Sequence, residues 1–255
     1  MTTEPVTTTD AGTVRSTKPD LPFYNGLPTA ISGVKWLVVV AACAVAFAQL
    51  TLLPIPGGAA VQQWVHAILF PAIPLAALAW AAPRGWTAIF RRVRVRDIAA
   101  MVGFGVLNLT VTFAMAVPIA KLIGANPNPA GQLLAQASTG QKVSFFLATI
   151  PQLLGEELIT ILPMLALVSV LFRAGWSRNA ALAVAWVGTA VMFGLLHLPT
   201  YDWNVLQCLA LIGFARLFLT LAYVVTKNLW VSTGAHIVND WAMFSIPLLL
   251  GGINA

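Results

Sequence analysis

Seven runs of roughly 20 mainly apolar residues, at 35–53, 61–82, 98–120, 144–171, 179–198, 205–225 and 229–250, constrain this chain more than any other feature. A helix rises about 1.5 Å per residue, so such a run crosses the roughly 30 Å hydrocarbon core of a bilayer. In hydrocarbon the backbone must satisfy its own N–H and C=O groups, and long Leu- and Ala-rich runs do so as helices. The expected fold is therefore all-α, a polytopic membrane bundle of about seven to eight transmembrane helices. It forms one domain over residues 34–255. Composition agrees, because 59% of the 255 residues are hydrophobic and 9% are charged, whereas soluble domains carry about a quarter of their residues as charges. A water-facing globule is excluded.

Pro71, Pro74, Pro118, Pro151, Pro163 and Pro247 fall inside these runs and are expected to kink the helices rather than end them. The fourth run is longer than a span requires. Either it tilts and extends into the interface, or Pro151 or Pro163 divides it into a span and a re-entrant piece. Residues 1–33 are rich in Thr, Pro and Gly and show no hydrophobic period, which reads as a disordered tail. The first apolar run starts after Lys35, too late for a cleaved signal peptide, and reads as a retained anchor. Cys43 and Cys208 sit in separate apolar runs and provide no disulfide framework.

With 14 Lys and Arg against 8 Asp and Glu, the chain carries +6. The bases lie between apolar runs instead of forming one face, which excludes nucleic acid as a partner and points to the lipid bilayer. If the loop bearing Arg84, Arg91, Arg92, Arg94 and Arg96 is cytoplasmic, then Arg15, Lys18, Lys35, Arg173, Arg178 and Lys227 fall on the same side. Only Lys121 and Lys142 lie outside, and Arg216 lies within a run. The expectation is a multi-pass cell-membrane protein with a cytoplasmic N-terminus. Trp36, Trp80, Trp86, Trp176, Trp203 and Trp230 stand near run ends and read as interfacial anchors.

Against this background the intramembrane polar residues are informative. Glu156, Glu157 and Asp240 lie well inside apolar runs, where an ionised group costs roughly 2.5–3.5 kcal/mol. Adjacent helical residues point about 100° apart, so one glutamate is expected to face a reaction space and the other a supporting donor. Phe193 and His197 are four residues apart and share a face, as do His236 and Asp240, with Asn239 beside them. Three runs thus bring polar groups toward one interior cavity. A carboxylate and a histidine sharing a water would deprotonate it for attack on a carbonyl, while a second histidine bonds the developing oxyanion. A zinc version would use Glu156, His197 and His236, although no H-E-x-x-H occurs. Two other readings use the same residues. In one they serve a proton-coupled membrane transporter, and in the other they hydrogen-bond helices together in a noncatalytic membrane scaffold.

The order of these groups resembles the CPBP intramembrane proteases, the family of type 2 CAAX prenyl proteases and bacteriocin-processing enzymes. Its pattern is E-E-x-x-x-R, then F-x-x-x-H, then H-x-x-x-N or H-x-x-x-D. Here these read Glu156-Glu157 through Ile161, Phe193 to His197, and His236 to Asp240, within residues 140–245. The resemblance implies an endopeptidase that hydrolyses a peptide bond of a membrane-associated protein or peptide, with no cofactor or with zinc. It implies Glu156 as general base, His197 holding the same water, Glu157 as support and His236 as oxyanion donor, with Asp240 where Asn is usual. Ile161 stands where the pattern has Arg, so a cation must come from elsewhere, and Arg216 is the candidate. The run boundaries place Glu156, His197 and His236 at different depths, so a shared site requires shifted boundaries or a broken segment.

Overall fold

The computed structural model describes residues 20–249. Among them the regular secondary structure is entirely helical. The helices are α1 (Gly33–Leu52), α2 (Ala59–Ala81), α3 (Val95–Ile123), the short α4 (Pro129–Gln136), α5 (Thr139–Arg173), α6 (Arg178–Leu196), α7 (Val205–Thr226) and α8 (Leu229–Leu249), with 3-10 turns at Trp86–Ile89 and Leu198–Tyr201. Six of them, α1, α2, α3, α5, α6 and α7, are long and apolar enough to cross a membrane. At 21 residues α8 is about 31 Å long, enough to span. It carries Ser232, Thr233, His236, Asn239 and Asp240 and is not one of the six. The fold is a polytopic helical bundle.

At 35 residues α5 is the central helix, burying one side chain after another from Ala148 to Ser169 against α1, α2, α6 and α8. It runs unbroken through Pro151 and Pro163. Each proline removes one backbone donor and leaves the helix otherwise continuous. Of the two expectations for this run, the single extended helix is the observed one. α3, by contrast, leaves Val102, Val106, Leu107, Phe113 and Val117 exposed, an apolar face suited to hydrocarbon.

The irregular backbone lies elsewhere. Residues 208–213 of α7 form a π-helical turn. A widened turn of this kind re-aims the side chains that follow it. It fits because α6 presents Gly194 there, where a Cβ would stand 2.6 Å from the carbonyl oxygen of Cys208.

The expected tail of residues 1–33 divides. Residues 1–19 lie outside those described, whereas Leu21, Phe23, Tyr24 and Ile31 are buried in the core. Composition concealed this because a few aromatic and aliphatic anchors among turn residues carry no period. Phe23 packs edge-on to Trp36 and Tyr24 to Phe172. Trp36 is accordingly a core residue at 2% exposure, not an interfacial anchor. Residues 250–255, the end of the expected domain, are outside the described residues as well.

One end of the bundle gathers the basic loops. Arg91 N donates to Asn228 Oδ1 at 3.0 Å, Arg91 Nε to the Lys227 carbonyl at 2.8 Å and Arg91 Nη2 to the Asp20 carbonyl at 3.3 Å. Arg173 Nη2 donates to the Ile31 carbonyl at 2.6 Å, and Arg178 pairs with Asp20. Burial pushes the Asp20 carboxyl up, but hydrogen bonds from Arg178 and Tyr24 outweigh it and hold it at about 2.

Candidate active site

Glu156 and Glu157 occupy the middle of α5 and part company there. Glu157 is fully buried, with Arg216 Nη1 of α7 at 2.8 Å from its Oε1. The Arg216 side chain is itself at 0% exposure and lies just past the π-helical turn. The cation that Ile161 does not supply therefore arrives from another helix, with its guanidinium carbon 4.5 Å from the centre of the Phe193 ring. Ile161 lies in the apolar core at 0% exposure.

His236 approaches both glutamates. Its Nδ1–H donates to Glu157 Oε1 at 2.9 Å, while Nε2 stands 3.7 Å from Glu156 Oε2 and 3.5 Å from Asp240 Oδ1. The expectation that adjacent glutamates face separate partners holds for Arg216 but not for this imidazole, which is broad enough to touch one with each nitrogen. Asn239 Nδ2 donates to Asp240 Oδ1 at 2.9 Å, and Asn239 Oδ1 accepts from Asn108 Nδ2 of α3 at 3.0 Å. A continuous polar chain thus runs Asn108, Asn239, Asp240, His236, Glu157, Arg216 across four helices. Such a chain fixes rotamers, because each buried group that loses its partner bears the full cost of desolvation.

His197 caps the C-terminus of α6. Its Nδ1–H donates to the Phe193 carbonyl at 2.8 Å and its ring stacks 4.6 Å from that of Phe193. In the neutral ring this leaves Nε2 as an acceptor. Among the described residues His197 forms no ion pair with either glutamate. It shares a volume with them instead: Glu156, His197, Arg216, His236, Asn239 and Asp240 all line one cavity of about 600 Å³. The expected mismatch in depth does not keep His236 from α5, since its imidazole reaches Glu157 directly. Leu229 is fully buried, and His236, two turns on, meets the centre of α5.

Both Nδ1 atoms are committed, to a carbonyl and to Glu157. Among the described residues, no group of three or more His, Cys, Asp or Glu side chains stands as a metal-holding cluster. Two residues of the cavity carried no role in the sequence reading. Asn108 had a legible signal, a lone amide in the 98–120 run. Tyr201 had none, because a tyrosine between two helices is unremarkable until the fold turns it inward.

Residues 139–242 match the family model described as Type II CAAX prenyl endopeptidase Rce1-like. That stretch belongs to the CPBP, or CAAX-protease-like, clan. It covers α5, α6, α7 and α8 through Ala242, and with them every site residue expected from the sequence. No curated protein and no solved structure matches the chain significantly.

Proposed function

We propose that this protein is an intramembrane endopeptidase that hydrolyses a peptide bond of a membrane-associated protein or peptide in the cavity between α5, α6, α7 and α8. The observation that carries the reading is that Glu156, His197 and His236, from three helices of the family-matched stretch, line one cavity. With α8 as a seventh span and the basic loops at one end, the positive-inside rule puts that end and the N-terminus in the cytoplasm.

In this mechanism one O–H of a water donates to Glu156 and the other to His197 Nε2, which aims the oxygen lone pair at the scissile carbonyl. Glu156 takes the proton as the C–O bond forms and returns it to the amide nitrogen as the C–N bond breaks. His236 Nε2, when protonated, donates to the developing oxyanion. Glu157, paired with Arg216, holds the other face of that imidazole.

The test uses the full chain in lipid vesicles with a library of membrane-anchored peptides. Glu156→Gln and His197→Ala are expected to lower kcat by about 10²–10⁴-fold, and cleavage by the parent is expected to survive a strong chelator. Variants that cleave as fast as the parent would remove the mechanism, and loss of activity on chelation would transfer it to zinc.

A further inference from the structure

On the endopeptidase reading, a gap in the site points to one more participant. An oxyanion is held by donors, and an ionised Asp240 can only accept. Asn239 is already engaged, because its Nδ2 donates to Asp240 Oδ1 and to Met243 Sδ and its Oδ1 accepts from Asn108. His236 Nε2 would stand alone.

Tyr201 ends the 3-10 turn that follows His197 and is buried at 7% exposure, lining the same cavity as Glu156, His197 and His236. Its phenol oxygen accepts a hydrogen bond from Asn128 Nδ2 at 3.3 Å. Asn128 is tied down in turn, since its Oδ1 accepts from Ala130 N at 2.9 Å as the N-cap of α4. Asn126, two residues earlier, donates from Nδ2 to the Tyr201 carbonyl at 3.0 Å. Tyr201 is thus held at its phenol oxygen by Asn128 and at its backbone carbonyl by Asn126. Among the described residues its own O–H has no acceptor, although the group lies within the cavity wall.

We propose that the Tyr201 O–H is the second oxyanion donor, with Asn128 as the residue that positions it. Burial raises this phenol to about 12, against a smaller lowering by the hydrogen bond from Asn128. It therefore keeps its proton across the physiological range. It bonds the carbonyl oxygen more strongly as that oxygen becomes negative, so its contribution falls on kcat rather than on binding.

The experiment compares the parent, Tyr201→Phe, Asn128→Ala and Glu156→Gln, each full-length in lipid vesicles, on a membrane-anchored fluorogenic peptide drawn from a library, with the unfolding midpoint of each. Tyr201→Phe is expected to lower kcat by about 10²–10³-fold at unchanged KM and midpoint. Asn128→Ala, which keeps the phenol but frees it, should give a smaller fall in kcat at unchanged KM, with a midpoint lowered by the lost cap of α4. A Tyr201→Phe variant as fast as the parent, beside an inactive Glu156→Gln, overturns the inference and leaves the endopeptidase reading standing. A parallel fall in midpoint and rise in KM in both variants makes Tyr201 structural and also overturns it. A parent that cleaves nothing, or a Glu156→Gln that cleaves as fast as the parent, overturns the underlying reading and this inference with it.

Discussion

Removing the guanidinium of Arg216 leaves the Glu157 carboxylate at 0% exposure with His236 as its one remaining close partner among the described residues. Breaking a buried pair from one side costs about 3–5 kcal/mol. Arg216→Met should therefore lower the unfolding free energy by that amount in lipid or mild detergent. The double variant Glu157→Gln/Arg216→Met should cost less than the sum of the two single changes, because no lone charge stays buried, and a coupling of about 0.5–3 kcal/mol is the expected reading of that cycle. Strict additivity would show that the 2.8 Å approach carries no energy. At this scale the residue types were legible: carboxylates and imidazoles inside hydrocarbon announce themselves. Their partners were not. The roles of Glu156 and Glu157 diverge because one side chain opens on a cavity and the other meets a helix some 60 residues away in sequence, and no local pattern encodes that meeting.

Between elements, two glycines set how closely helices approach. A Cβ on Gly155 would stand 2.4 Å from the Phe70 ring, and one on Gly194 would stand 2.6 Å from a backbone oxygen of the π-helical turn. The ring can swing and the backbone cannot, so Gly194→Ala is expected to cost more, in the range of about 1–3 kcal/mol seen for overpacking. It should also cut peptide cleavage, since Arg216 follows directly on the displaced turn. Gly103→Ala meets nothing within 4 Å and should stabilise α3 by about 0.5–1 kcal/mol. Thermal unfolding of the three variants checks the order, and a Gly194→Ala protein as stable and active as the parent would dismiss the turn as a positioning device. The seven long runs in the sequence each correspond to a helix, because length and apolarity are local properties. α4 and the π-helical turn escaped, the first for brevity and the second because its widening answers a glycine on another helix.

For the molecule as a whole, the segment at residues 20–32 binds the basic end together through Asp20. This carboxyl falls from its ordinary 3.8 to about 2. A depressed carboxyl stabilises the folded state above its unfolded value, so the contribution is complete at neutral pH and is lost as pH falls from about 4 toward 2. Because Asp20 and Arg178 are about a third exposed, solvent screens the pair and the effect is about 1 kcal/mol or less. Asp20→Asn should flatten the pH dependence of stability in that window and speed proteolysis near the segment, and an unchanged acid limb would count against the pairing. The polytopic helical bundle follows from hydrophobic length, a quantity that sums along a chain without reference to its fold. Arg216 standing in for the cation absent at Ile161, Tyr201 facing inward, and the burial of residues 20–32 depend on contacts between residues far apart in sequence. Packing decides those, since a buried charge or phenol is tolerable only where another part of the chain has already come to meet it.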